Sequence, residues 1–137
     1  VRAGIPLGNG YYVRMFPVWF SFRGNAAIML SMGKAAAIVG RYFGDGKLLE
    51  IAREQLYWMV GKNPFCQSLV YGEGERYCQQ DANYTGEMTG EMPVGIQTWE
   101  NEDEPYWPAG NNATYKEVWL TTAGRFLSIA AELYPHI

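Results

Sequence analysis

The chain has 137 residues, of which 48% are hydrophobic and 15% aromatic, enough for one domain with a real core. A net charge of -3 offers no electrostatic basis for binding nucleic acid or an anionic membrane surface, and no apolar run reaches the ~20 residues of a membrane span. Two cysteines, Cys66 and Cys78, and one histidine, His136, are too few for a disulfide framework, a cysteine-type zinc site or a histidine-dependent nucleophile.

Residues 1–24 are rich in glycine, proline and aromatics and read as loop, with a short ordered piece around Val18 to Phe22. A helix is predicted from Asn25, carrying Ala26, Ala27, Met29, Leu30, Ala36, Ala37, Ile38 and Val39. Ser31, Lys34 and Arg41 mark its narrow polar stripe, and so little polar surface calls for neighbours on more than one side. Phe43-Gly44-Asp45-Gly46 is a turn, and a second helix follows from Lys47 to Val60. Gly61 suits its C-terminal cap and Pro64 enforces the stop, so the two helices form an αα-hairpin.

Residues 62–113 show little helical periodicity, apart from a candidate short strand at Gln67 to Tyr71. A loop of this length inside one domain commonly carries function, and its aromatic content argues for order. The last helix is predicted from Thr114 to Tyr134. Val118, Trp119, Ala123, Phe126, Leu127, Ala130, Ala131 and Tyr134 form its apolar face; Glu117, Thr121, Arg125, Ser128 and Glu132 form its polar one. Three helices and a long loop look like part of a larger helical assembly.

The loop offers several chemical features. Trp99, Tyr106 and Trp107 lie near Gln97, Glu100, Asp103 and Asn111. Aromatic faces with polar neighbours suit a sugar ring, and they equally suit packing a long loop onto helices. Glu100, Glu102, Asp103 and Glu104 lack an EF-hand pattern and read as a solvated face, so no metal and no cofactor are expected. Asn83-Tyr84-Thr85 and Asn112-Ala113-Thr114 fit the short glycosylation sequon. Thr114-x-x-Glu117 has the form of a capping box, which would place Glu117 on backbone N–H groups at the start of the last helix.

Tyr57-Trp58-Met59-Val60-Gly61-Lys62-Asn63-Pro64, followed by Ser68-Leu69-Val70-Tyr71-Gly72, resembles the C-terminal part of glycoside hydrolase family 9. There a Tyr-containing helix ends in a Leu-Gly-x-Asn-Pro-like sequence before a Ser-Tyr-Val-x-Gly-like strand. Tyr115-Lys116-Glu117-Val118 is similar to a shortened form of that family's final Tyr-x-x-Asn-Glu motif. The resemblance spans residues 23–134. It implies an all-α fold, a section of an (α/α)6 toroid made from an αα-hairpin, a C-terminal helix and one long ordered loop. Residues 1–137 would then be one unit, the C-terminal portion of a larger toroid.

By the same resemblance Glu117 matches the general acid, and Trp99, Tyr106, Trp107 and Tyr115 are candidate sugar contacts. Arg76 joins them, because Glu75-Arg76-Tyr77 stands where the family carries a His-His-Arg cluster. The Asn before the motif Glu is Lys116 here, and the family's water-activating Asp pair has no counterpart in the chain. The implied function is cleavage of poly- or oligosaccharide glycosidic bonds in a secreted or periplasmic setting, with this segment inactive alone. The implied partners are a glycan and either the remaining helices of the toroid or a second copy of the chain. A non-catalytic carbohydrate-binding or scaffolding remnant of the same fold is the alternative.

Overall fold

A computed structural model describes residues 5–13, 24–82, 86–98 and 104–134. Trp99, Glu100, Glu102, Asp103, the Asn83 sequon, His136 and the piece expected at Val18 to Phe22 lie outside the described residues. Within residues 1–24, expected to be loop, β1 (Ile5–Gly8) and β2 (Tyr11–Val13) pair antiparallel through a turn at Asn9 and Gly10.

The helical frame follows the hydrophobic periodicity. Helix α1 spans Ala26–Phe43 and helix α2 spans Gly46–Met59. Between them Gly44 closes α1 in the left-handed conformation that favours glycine, and the Asp45 carboxylate accepts from Lys47 N and Leu48 N to open α2. The predicted hairpin boundaries therefore hold to within a residue. No helix among the described residues is long and apolar enough to cross a membrane.

The last helix differs from its expected form. A single turn, α3 (Ala113–Lys116), is followed by extended backbone at Glu117 to Trp119, and the long helix α4 begins only at Leu120 and ends at Leu133. The interruption has a non-local cause. Asp81 N donates to Lys116 O, Val118 N to Asp81 O, Val94 N to Glu117 O and Trp119 N to Met92 O. Residues 116–119 thus pair with two loop segments at once. Those bonds outweigh the helical spacing of Val118 and Trp119, in keeping with the weakness of local propensity against tertiary context.

Helices α1, α2 and α4 pack around Leu30, Ala37, Ala52, Met59, Ile129 and Leu133, all essentially inaccessible to solvent. Burial of each large aliphatic side chain contributes roughly 1.5–3 kcal/mol. Arg41 of α1 and Glu132 of α4, from their respective polar stripes, meet as an ion pair at 2.8 Å.

The described residues of the long loop supply the rest of the core through Leu69, Val70, Cys78, Met92, Ile96 and Trp107. It contains β3 (Gln97–Thr98) and β4 (Pro105–Tyr106), a short antiparallel pair. At Gln67 to Tyr71 only an isolated bridge, Ser68 to Tyr77, stands where a strand was predicted. Among the described residues the fold is thus mainly helical, with four helices and small strands.

The loop is tied to the start of α1 by Asn25 N on Ile96 O and Ala26 N on Val94 O. Glycine is required on both sides of this crossing. A Cβ on Gly24 would lie 1.9 Å from Gly95 O, and Gly95 itself has φ +99° against Ala26.

Candidate functional site

The arrangement around Glu117 begins at the end of α2. Asn63 donates from Nδ2 to Trp58 O and to Gln67 O, both at 2.8 Å, while its Oδ1 accepts from Phe65 N at 3.2 Å. One buried amide thus satisfies the helix end and fixes the turn that follows, as a helix stop before proline requires. The turn carries Gln67, whose Oε1 accepts the Trp107 indole N–H at 2.8 Å and whose Nε2 donates to Tyr77 O at 3.2 Å. The Asn63-Pro64 sequence therefore positions Trp107, 40 residues further along the chain.

Trp107 is only 9% exposed. The Lys116 ammonium lies 5.2 Å above the centroid of its ring, and the ring meets Tyr115 edge-to-face at 6.5 Å between centroids. Tyr115 in turn meets Tyr106 edge-to-face at 5.4 Å. Three of the sequence candidates, Tyr106, Trp107 and Tyr115, therefore form one cluster. Trp107 seats it; the half-buried Tyr106 and Tyr115 are its accessible members. Burial, with the neighbouring Tyr106 phenol, raises the Tyr115 pKa, so this hydroxyl stays protonated and able to donate.

Lys116 was not singled out in the sequence beyond its replacement of asparagine. It is 3% exposed and donates from Nζ to Ala109 O at 3.1 Å. Burial lowers its pKa, and the nearby Cys78 thiol acts the other way. Cys78 is fully buried, and desolvation pushes its thiol up to about 11. Cys66 is exposed, and the two cysteines are unlinked.

Glu117 does not cap a helix start. Asn112 is the N-cap of α3, its Oδ1 accepting from Thr114 N at 2.9 Å, and Glu117 follows the last residue of that turn. The capping box read from Thr114 and Glu117 is therefore corrected: the cap lies two residues earlier, because the helix it was to open is broken at Glu117. The half-buried Glu117 carboxylate instead accepts the Trp119 indole N–H at 2.9 Å.

Its backbone lies between residues 80–82 and 92–95, so its position is fixed from both sides. Asp81 is its partner in a parallel bridge, which places the two acidic side chains on the same side of the pairing. Asp81 went unnoticed in the sequence, where 36 positions separate it from Glu117 and no local pattern links them.

Arg76 lies elsewhere. It lines an open depression of about 350 Å³ with Val60, Gly61, Cys66, Ser68 and Glu75. Ser68 N donates to Arg76 O at 2.7 Å, so this depression adjoins the turn that carries Gln67. An apolar groove of about 400 Å³ is lined by Met88, Met92, Val118, Trp119, Leu120 and Ala123. Among the described residues no group of three or more His, Cys, Asp or Glu side chains is placed to hold a metal ion.

Comparison of the chain with protein-family models, with curated proteins and with solved structures finds no match.

Proposed function

We propose that the chain is a carbohydrate-active segment, a C-terminal portion of a glycoside hydrolase of the toroidal kind, with Glu117 as its general acid. The observation that carries this reading is the setting of Glu117. It is relieved of the capping role that would otherwise account for it, held on backbone paired from both sides, and hydrogen-bonded to an indole N–H. A carboxyl group that must protonate a glycosidic oxygen needs such fixed placement.

Tyr106 and Tyr115 supply aromatic surface two residues before it in the chain or packed against that position, with Trp107 behind them. Arg76 would act at a separate point, in the depression beside the Gln67 turn. The toroid itself, the setting outside the cell and the glycan partner belong to this proposal.

The test is titration of the isotope-labelled 137-residue chain with neutral and acidic oligosaccharides, followed by NMR. Shifts concentrated at Tyr106, Tyr115 and the Trp119 indole are expected, with binding retained in Glu117→Gln. No perturbation by any oligosaccharide at millimolar concentration would sink the reading. The buried face of Trp107 favours a second reading, in which the cluster packs the loop and the segment is a non-catalytic scaffold. Shifts spread over the Arg76 depression alone would select it.

A further inference from the structure

The depression beside the Gln67 turn holds hydrogen-bond donors that the chain does not use. Arg76 is exposed there, and among the described residues no carboxylate pairs with its guanidinium, its sequence neighbour Glu75 included. The backbone on either side is committed: Glu73 N donates to Val70 O at 3.3 Å and Cys78 N to Ser68 O at 2.9 Å. Between them the N–H groups of Gly74, Glu75 and Arg76, three residues that line the depression, donate to no described group. Gly74 stands at φ +83°, in the left-handed conformation from which runs of N–H groups form anion-binding concavities. Arg76 O accepts from Ser68 N at 2.7 Å, so the guanidinium extends from backbone that is itself held.

The lining selects among anions. Among its described residues Arg76 is the one cation and Glu75 the one anion. A dianion such as phosphate would exceed the single positive charge and be repelled by Glu75. A carboxylate carries one charge and matches the planar guanidinium fork with two parallel hydrogen bonds. Glu75, an acceptor without a partner among the described residues, suits donor hydroxyls beside that carboxylate. Val60 adds an apolar wall on which the C–H face of a ring can pack. The volume of about 350 Å³ falls within the roughly 300–1,000 Å³ of small-ligand sites. One carboxylate and several hydroxyls on a small ring describe an acidic sugar.

We propose that this depression binds a uronic acid residue, with Arg76 and the N–H groups of Gly74 and Glu75 taking its carboxylate and the Glu75 side chain accepting from its hydroxyls. The choice of a sugar rests on the carbohydrate-active reading and narrows its substrate class to acidic glycans. The carboxylate site itself follows from the unused donors alone. It lies apart from Glu117, so it contributes binding and no chemistry.

Cys66 is a native reporter for the test, because its exposed thiol lines the depression while Cys78 is fully buried. The rate at which a neutral aromatic disulfide modifies Cys66 is measured in the full 137-residue chain against increasing glucuronate. Glucuronate should protect the thiol saturably. Glucose, the methyl ester of glucuronate, and acetate at the same ionic strength should protect at least about tenfold more weakly. Arg76→Gln should bring glucuronate down to the level of its ester, with an unchanged urea midpoint. No protection by glucuronate, equal protection by the ester, or protection that survives Arg76→Gln would overturn the site. Equal protection by acetate would overturn the sugar as its ligand. The carbohydrate-active reading is followed elsewhere, at Tyr106, Tyr115 and the Trp119 indole. Shifts there with neutral oligosaccharides, while glucuronate leaves Cys66 unprotected, would sink this site and leave that reading standing.

Discussion

Asn112, and not the Thr114–Glu117 pair that the spacing suggests, caps the start of α3, and the difference can be measured. Asn112 satisfies Thr114 N at the start of α3, so Asn112→Ala should cost about 1 kcal/mol in urea unfolding, the usual cost of a lost N-cap. Glu117→Gln keeps an oxygen acceptor for the Trp119 indole, and its stability should stay within about 0.5 kcal/mol of the parent. The opposite ranking would restore Glu117 as the cap.

The cysteines give a second contrast at this scale. Burial holds the Cys78 proton until about pH 11, whereas Cys66 is exposed. At pH 8 Cys78 is therefore neutral as well as inaccessible, and the thiolate is the reactive form. A disulfide reagent should titrate one thiol in the native chain and two in denaturant. Equal native reactivity of both would contradict the burial of Cys78.

Among the elements, identical glycine-to-alanine changes should have opposite signs in α1 and α4. A Cβ on Gly33 would lie 2.8 Å from Gln55 Cγ and 2.9 Å from Ile129 Cδ1, where α1 meets both α2 and α4. Gly33→Ala gains helix propensity but forces the three helices apart, and a net loss of about 1–2 kcal/mol is expected. A Cβ on Gly124 meets nothing, so Gly124→Ala should gain about 1 kcal/mol in urea unfolding.

The α1–α2 hairpin was legible in the sequence because each of its determinants is local: apolar residues at helical spacing, Gly44 for the left-handed cap, Asp45 for the next start and Asn63-Pro64 for the stop. The break at Glu117 was not legible. Val118 and Trp119 fit a helix, and what removes them from it is pairing with Asp81, Met92 and Val94, which no short window contains. That the described part of the long loop packs into the core was inferable from its aromatics, but not its path. That depends on Gln67 reaching Trp107 and on Gly24 and Gly95 touching. The Tyr106–Trp107–Tyr115 cluster was anticipated as a set of residues, while Arg76 was grouped with it on resemblance alone and lines a different depression.

For the molecule as a whole, the sharpest question is whether it can turn over a glycan alone. Inverting hydrolysis needs two carboxyl groups about 6.5–9.5 Å apart, one to protonate the leaving oxygen and one to activate water across the sugar ring. The retaining route needs them about 5–5.5 Å apart, with the second as nucleophile. The acidic residue paired with Glu117 is Asp81. As bridge partners they stand side by side at about the inter-strand spacing of 5 Å, pointing the same way. Inversion requires carboxyl groups on opposite faces of a ring, and side-by-side placement does not provide that.

The expected outcome is that the 137-residue chain binds oligosaccharide without hydrolysing it, and that Asp81→Asn leaves binding unchanged. Incubation with a panel of α- and β-linked oligosaccharides, with products read by NMR, checks this directly and reports the anomer formed. Sustained turnover lost in both Asp81→Asn and Glu117→Gln, with retention of anomeric configuration, would show instead that this adjacent pair is a complete retaining site. Turnover lost only in Glu117→Gln would require a second carboxylate from another part of the chain.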